Sequence, residues 1–189
     1  MDIRQEAQEL NLALYRFLAQ RGPDLDKAGA ALIETLKKGG KVLVFGNGGS
    51  AAESQHFAAE LVNKFHRLGP ALPALALTTD TSTLTSIAND LSFDRVFSRQ
   101  VEALGRKGDA ALGLSTSGKS PNVIEGLKAA RSLGMTTVAL TGRDGGPLAA
   151  LADHLLDVDS TSTPRIQEVH LFILHRLAGE IEAAFAAGH

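Results

Sequence analysis

The sequence predicts an α/β fold, in which a five-stranded parallel sheet is flanked by helices on both faces. Short apolar runs recur along the 189-residue chain and alternate with helical patterns, as in a three-layer parallel sheet. The five runs are residues 42–45, 74–77, 110–114, 135–140 and 154–158. Loops rich in glycine or hydroxyl residues follow the first and third runs. Because ligands of such sheets bind at the carboxyl ends of the strands, these loops form the predicted site.

Two amphipathic helices are predicted before the first strand, over residues 2–20 and 24–38. Gly22 and Pro23 separate them, since proline interrupts a helix. The first helix carries an apolar stripe. The stripe consists of Ile3, Ala7, Leu10, Leu14 and Phe17, with Leu12 and Leu18 at its edges. The sheet does not need this helix, so we expect residues 2–38 to take part in oligomerisation. The second helix fits equally well as a cover for its own sheet.

The other helices are expected in the segments that connect the strands and after the last strand. Caps support several of them, such as Pro121 at a first helical position and Thr163 before Pro164. The predicted helices begin at about Ser50 and then cover residues 83–90, 94–104, 121–133, 147–151 and 164–186.

The composition is that of one ordinary globular domain, which we take as residues 1–189. Hydrophobic residues make up 44% and charged residues 21% of the chain. The net charge of −2 and the scattered basic residues indicate no nucleic-acid surface. No apolar run approaches the ~20 residues of a membrane span, and the N-terminus does not read as a signal peptide. We therefore expect a cytoplasmic protein with no membrane partner.

The loop after the first strand has the pattern of an anion site. Gly46-Asn47-Gly48-Gly49 permits a tight turn and close ligand approach, and Ser50 is a candidate N-cap, with Glu53 completing a capping box. A helix N-terminus at this place offers free backbone N–H groups to a phosphate.

A dinucleotide fingerprint is the alternative for the same loop, because residues 46–51 also fit the pattern G-x-G-x-x-A. That fingerprint requires an acidic residue about 20 positions further on. The first acid after the second strand, Asp80, comes too late in the chain. We therefore expect no nucleotide cofactor.

A second loop with phosphate-binding character follows the third strand. Hydroxyl residues are concentrated in it, immediately before a helix N-terminus. They are Ser115, Thr116, Ser117 and Ser120. Hydroxyls and backbone N–H groups can together satisfy the oxygens of a phosphate, although serine-rich loops are also common turns.

Titratable and amide side chains accompany the two loops. His56 and Glu60 are four residues apart on the helix after the first loop and therefore share one face. Such a pair suits a metal or acid–base chemistry, or is a simple surface pair. On the last helix, Gln167 and His175 can face a common cleft, whereas His170 points elsewhere.

Several segments together resemble the sugar isomerase (SIS) domain family, and within it the phosphoheptose isomerases. They are GNGGSAAESQHFAAEL, ALTTDTSTLTSIANDLSFDRVFSRQ, LSTSGKSPNV, ALTGRDGG and STSTPRIQEVH…H. The resemblance covers nearly the whole chain. It implies a flavodoxin-like three-layer sandwich and a homotetramer with active sites between subunits. One departure is that Asn63-Lys64 stands where many relatives have Gly-Arg.

By position, the resemblance also implies roles for individual residues. Glu60 is the implied general base and His175 the implied acid of a reaction that converts sedoheptulose 7-phosphate through an enediol into an aldoheptose 7-phosphate, a precursor of bacterial surface heptose and lipopolysaccharide. The implied substrate contacts are Asn47, Gly48, Gly49, Ser50, Asn89, Asp90, Ser115, Thr116, Ser117, Ser120 and Gln167. Some members hold zinc, for which the implied ligands are His56, Glu60, Gln167 and His175.

Two other functions stay open on the sequence. A non-enzymatic SIS-domain regulator that binds the bacterial replication initiator resembles these isomerases, but it lacks the base at the position of Glu60. Isomerisation of a different sugar phosphate is also compatible, because selectivity for chain length leaves little trace in one sequence.

Overall fold

The computed structural model describes residues 2–186 and contains one five-stranded sheet. The strands are β1 (Val42–Gly46), β2 (Ala74–Ala76), β3 (Ala110–Ser115), β4 (Thr136–Thr141) and β5 (His154–Asp157). Their order across the sheet is β2-β1-β3-β4-β5, and each neighbouring pair is parallel. The predicted fold class is confirmed.

Six α-helices surround the sheet in the described part of the chain. They are α1 (Ile3–Lys37), α2 (Gly49–Val62), α3 (Thr81–Asp90), α4 (Ser98–Leu104), α5 (Pro121–Ser132) and α6 (Thr163–Ala186). The predicted helices over 94–104 and 147–151 are wrong in detail. A 3₁₀ turn (Phe93–Arg95) precedes the shorter α4, and the second segment is itself a 3₁₀ helix (Gly146–Leu151). None of the described helices combines the length and apolar character that a membrane crossing needs.

Apolar side chains cover both faces of the sheet, so that the core lies in two layers. On one face, Val44 packs in a buried cluster with Phe57 of α2 and Ile173 of α6. On the other face, the ring of Phe45 stacks on that of Phe97, with 5.2 Å between the ring centroids. Alternate residues of β1 therefore face opposite layers, which explains why the whole strand is apolar.

The two N-terminal helices predicted from the sequence are one continuous helix in the structure. Helix α1 runs through Pro23, although a proline inside a helix costs ~3 kcal/mol. Phe17 before the proline and Leu25 after it are both buried in the same core cluster, so packing of one face offsets this cost. An ion pair between Arg21 and Asp157 of β5, with 2.6 Å between Nε and Oδ1, also holds the segment against the sheet.

The apolar stripe of α1 covers the protein's own core in its second half, whereas Ile3 and Ala7 at its start are exposed. Phe17 is fully buried, and Leu10 and Leu14 pack against the same cluster. A different face of the helix remains exposed, with Leu12 at 51% and Tyr15 at 70% of their maximal accessibility.

His170 of α6 is fully buried in the core. Its Nε2 atom lies 3.0 Å from the carbonyl oxygen of Thr141, while Nδ1 has no hydrogen-bond partner. Burial lowers the pKa of His170 from 6.5 to about 4, and the hydrogen bond to Thr141 opposes this effect only in part. As the sequence predicted, His170 points away from His175 and its surroundings.

The buried neutral His170 predicts a loss of stability in mild acid. Its pKa is lower in the folded than in the unfolded state, so its contribution is complete above pH 6.5 and is lost as the pH falls towards 4. The loss amounts to ~3 kcal/mol of unfolding free energy. Denaturant titrations between pH 4 and 8 should show a shallower pH dependence for His170→Gln than for the wild type. The control His154→Gln should keep the wild-type slope. Equal slopes for all three proteins would contradict the assignment.

Candidate active site

Two loops lie side by side at the carboxyl ends of the central strands. Strand β1 ends at Gly46, opposite Leu114 of β3, and β3 ends one residue later at Ser115. Helix α2 leaves the first loop towards one face of the sheet, whereas α5 leaves the second towards the other face. The chain therefore opens a crevice between the two loops, at the switch point of the topology.

The first loop, residues 46–49, presents backbone N–H groups at the start of α2. Gly48 is the N-cap and has a φ of 56°, a conformation that favours glycine. The N–H groups of Ser50 and Ala51 bond to the carbonyls of Asn47 and Gly48. In the described structure, the N–H groups of Gly48 and Gly49 have no backbone acceptor and are available to an anion.

The predicted capping box of Ser50 and Glu53 is wrong. Ser50 is already inside the first turn of α2 and is buried, because Gly48 ends the loop two residues earlier. Glu53 makes no capping contact, and its Oε2 atom is buried without a hydrogen-bond partner. Burial raises the pKa of Glu53 to about 7, whereas the Ser50 side chain acts to lower it.

The second loop, residues 115–120, is held together by its own hydroxyl groups. The Oγ atoms of Ser115 and Ser120 are 2.8 Å apart, and Ser117 Oγ accepts the N–H of Lys119 at 3.1 Å. Ser120 precedes α5 but does not cap it with its side chain. The hydroxyl groups therefore contact one another and the backbone of their own loop. A phosphate that enters the loop can accept hydrogen bonds from them.

A cavity of about 410 Å³ opens beside the second loop. Thr116, Ser117 and Lys119 line one side of it, and Arg143 lines another. Arg143 is also paired with Asp159, with 2.8 Å between Nε and Oδ1. The cavity thus combines hydroxyl donors and cationic groups, which can both bind a phosphate ester, with one acidic residue, Asp144.

Gln167 and the pair Asn89–Asp90 occupy different places. A β-carbon at Gly49 would lie 2.5 Å from Nε2 of Gln167, so the end of the Gln167 side chain lies against the first loop. Asn89 and Asp90 are exposed at the end of α3, where the Asn89 amide donates to the Asp90 carboxylate at 2.8 Å. Within residues 2–186, no hydrogen bond joins this pair to either loop.

Helices α2 and α6 bring His56, Glu60 and His175 together. The Oε1 atom of Glu60 lies 3.0 Å from Nε2 of His56 and 3.5 Å from Nε2 of His175. The two imidazole Nε2 atoms are 2.9 Å apart. The sequence placed His56 and Glu60 on one face of α2, and packing of α2 on α6 adds His175 from a position 119 residues away.

Burial and charge act in opposite directions on Glu60. Only 10% of its side chain is accessible, and this burial raises the pKa of its carboxyl group, while His56 and His175 act to lower it. Its second oxygen, Oε2, is buried without a partner. One ligand atom each of His56, Glu60 and His175 lies within 4.8 Å of the others, so these residues form a group that could hold a metal ion. Two imidazoles and a carboxylate are donors that suit such an ion.

Residues 65–67, which follow α2, are hydrogen-bonded to α6 beside His175. The Glu182 Oε2 atom accepts the backbone N–H groups of Phe65, His66 and Arg67 at 3.1, 2.9 and 2.9 Å. These hydrogen bonds lower the pKa of Glu182, that from Arg67 most strongly. The Phe65 ring then stacks on His175, with 5.6 Å between centroids. Sequence reasoning missed Glu182, because nothing local marks a contact that spans 117 positions.

The fold and the site define the class of protein. Two glycine- and hydroxyl-rich loops at a switch point, on the same chain as a buried carboxylate in contact with two imidazoles, define an α/β protein with a candidate anion site and candidate acid–base groups. The family model described as "SIS domain" matches residues 7–142 of this chain. A less similar structure, the sugar isomerase domain of an RpiR transcription factor from Sphaerobacter thermophilus, shares the fold at 21% identity and a TM-score of 0.68.

Proteins with higher sequence identity show to which group within the family the chain belongs. The phosphoheptose isomerase of Desulfovibrio desulfuricans is 58% identical over 161 residues, which cover 85% of this chain and 77% of the relative. That of Campylobacter jejuni is 55% identical over 159 residues, or 84% and 86% of the two chains. The structure of the Neisseria gonorrhoeae phosphoheptose isomerase superposes with a TM-score of 0.90 at 46% identity, covering 96% of this chain and 97% of that one. The chain therefore belongs to the SIS domain family, among the phosphoheptose isomerases.

Proposed function

We propose that the protein is an aldose–ketose isomerase that converts sedoheptulose 7-phosphate into D-glycero-D-manno-heptose 7-phosphate. The observation that carries the proposal is the position of Glu60, a buried carboxylate between two imidazoles on the helix that starts at the first loop. The names of the relatives support the same reaction. Because sugar phosphates are retained inside cells, the proposed compartment is the cytoplasm.

In this proposal the two loops hold the phosphate and the sugar. The second loop supplies the hydroxyls of Ser117 and Ser120, and the first supplies the N–H groups of Gly48 and Gly49. Hydrogen bonds to a charged phosphate are stronger than those between neutral groups. Gln167, which lies against Gly49, is placed to contact the sugar near the first loop. The exposed Asn89 and Asp90 also remain proposed contacts.

Glu60 acts as the general base. It removes a proton from C1 of the ketose, and the C–H electron pair forms the C1–C2 double bond while the carbonyl oxygen at C2 takes a proton from His175. The resulting enediol collapses when Glu60 returns its proton to C2 and the hydroxyl at C1 gives its proton to His175, which restores both groups. Burial, which raises the pKa of Glu60, makes its carboxylate a stronger base than an exposed one.

Zinc is the metal that we propose for the group of His56, Glu60 and His175, with Gln167 as a further proposed ligand. The unpartnered Oε2 atom of Glu60 and the two imidazole nitrogens fit such an ion. When bound, zinc supplies a positive charge that stabilises negative charge on the substrate oxygens. The protein side chains still carry the protons.

A change of Glu60 to glutamine tests the base. Glu60→Gln keeps the size and one oxygen but cannot take a proton, so kcat with sedoheptulose 7-phosphate should fall at least ~10²-fold. The affinity for the sugar phosphate should stay close to that of the wild type. The control Glu180→Gln, at another partly buried carboxylate of the chain, should keep the wild-type kcat. Wild-type turnover by Glu60→Gln would refute the assigned mechanism.

Direct zinc titration of the protein without substrate tests the metal group. Calorimetry should show one zinc ion per chain, bound at least about tenfold more weakly by His56→Gln, since a ligand is lost. His154→Gln, on the last strand, should bind zinc like the wild type. Zinc binding that His56→Gln leaves unchanged would place the metal elsewhere.

We also propose that the protein is a homotetramer with active sites between subunits. Exposed apolar side chains of α1 support an interface there, namely Ile3, Leu12, Tyr15 and Leu18. A patch of this kind on a folded chain commonly marks a protein–protein contact. Its location on α1 agrees with the role expected for residues 2–38.

Light scattering tests the assembly. At micromolar concentration the particle mass should be that of four 19.9 kDa chains. Tyr15→Glu should lower the mass, because it places a charge in the buried interface, whereas Lys27→Glu on the same helix should not. A wild-type monomer would remove the case for shared active sites.

A further inference from the structure

A reciprocal amide pair joins the two loops of the site. The Asn47 Nδ2 atom donates to Asn122 Oδ1 at 2.8 Å, and Asn122 Nδ2 donates to Asn47 Oδ1 at 2.8 Å. Asn122 lies at the start of α5, 75 positions from Asn47, and is only 2% exposed. Because the pair is head-to-tail, a small shift of one loop against the other lengthens both hydrogen bonds together.

A third hydrogen bond fixes the orientation of the pair. Asn122 Oδ1 also accepts the backbone N–H of Val123 at 3.0 Å. A backbone N–H can only donate, so the atom facing it must be the amide oxygen and not the nitrogen. The orientation of the Asn47 amide then follows from that of Asn122. Each amide group retains one N–H for a further partner, and only the Asn47 oxygen also retains a lone pair, because Asn122 Oδ1 already accepts two hydrogen bonds.

Asn47 is the only residue of the first loop with a side chain beyond hydrogen. Gly46, Gly48 and Gly49 surround it, and a β-carbon built at Gly48 would meet no atom within 4 Å. Asn47 is therefore the one residue of the first loop whose side chain can hydrogen-bond to another part of the chain, and its partner is Asn122. The second loop, in contrast, is braced internally by the contact of Ser115 with Ser120.

Resting on the function proposed above, we propose that Asn122 is a positioning residue of the sugar-phosphate site. It acts through Asn47, by holding the first loop at a fixed distance from the second so that both sets of donors reach one substrate. It also orients the Asn47 amide so that one N–H is free for a sugar hydroxyl. Glu60 lies three turns further along α2, ~16 Å from the loop, so Asn122 governs binding more than proton transfer.

A double-mutant cycle of Asn47→Ala and Asn122→Ala tests this role. Asn122→Ala should raise KM for sedoheptulose 7-phosphate about tenfold, with kcat within about threefold of the wild type. In the Asn47→Ala background the further change at Asn122 should leave KM nearly unchanged, because its route of action is already gone. The proposal would be overturned if the rise in KM of the double variant equalled the product of the two single rises. It would also be overturned if Asn122→Ala left KM unchanged. The dissociation constant of inorganic phosphate, measured by calorimetry, should follow the same pattern without any turnover.

Two further variants separate positioning from general stability. Thr137→Val removes a buried hydroxyl at the opposite end of β4, so it should lower the melting temperature but leave KM unchanged. If Asn122→Ala does not fold, Asn122→Asp replaces it, since it keeps the size and the two accepted hydrogen bonds. The added negative charge would weaken phosphate binding whether residue 47 is Asn or Ala. An effect on KM that acts through Asn47 should disappear when Asn47 is changed to Ala. Absence of turnover in the wild type would refute the proposed function, but loss of the pattern in an active enzyme refutes only the role of Asn122.

Discussion

The parallel pairing of β1 with β3 is the constraint on which the site depends. It sets Gly46 opposite Leu114, and so both loops emerge at the same level of the sheet. Because α2 and α5 then leave to opposite faces, neither helix closes the space between the loops. Both strands are apolar and buried in the middle of the sheet, so the relative position of the two strand ends is firmly held. The proposed phosphate site is thus a consequence of the topology, together with the glycine and hydroxyl residues of the two loops.

Packing of α2 against α6 assembles the group of His56, Glu60 and His175 further along α2 from that crevice. It buries the Glu60 carboxylate, which raises its pKa, and places two imidazoles next to it, which lower it. In an isolated helix Glu60 would lack both the burial and the neighbouring His175, and it would form only a solvated surface pair with His56. The same packing is reinforced by Glu182, whose carboxylate binds three consecutive N–H groups and thereby holds Phe65 on His175.

Local patterns were sufficient to predict the sheet, both loops and the shared face of His56 and Glu60. They failed at Pro23, because packing of α1 on the core outweighs the intrinsic cost of proline, and at Ser50, because Gly48 ends the loop first. Asn122 and Glu182 went unnoticed, since their partners are remote in sequence. The roles of the individual contact residues stay predictions, as does the place of Gln167 in a metal site.

The central claim is that the protein isomerises sedoheptulose 7-phosphate with Glu60 as the base. Nuclear magnetic resonance of this sugar phosphate incubated with the protein in D₂O tests it most directly. If Glu60 carries a proton between C1 and C2, an aldoheptose 7-phosphate should form, with deuterium at C2 in at least part of the product, because a proton on a carboxyl group exchanges with solvent. A sample that shows no aldoheptose phosphate after prolonged incubation with zinc-loaded protein would contradict the claim.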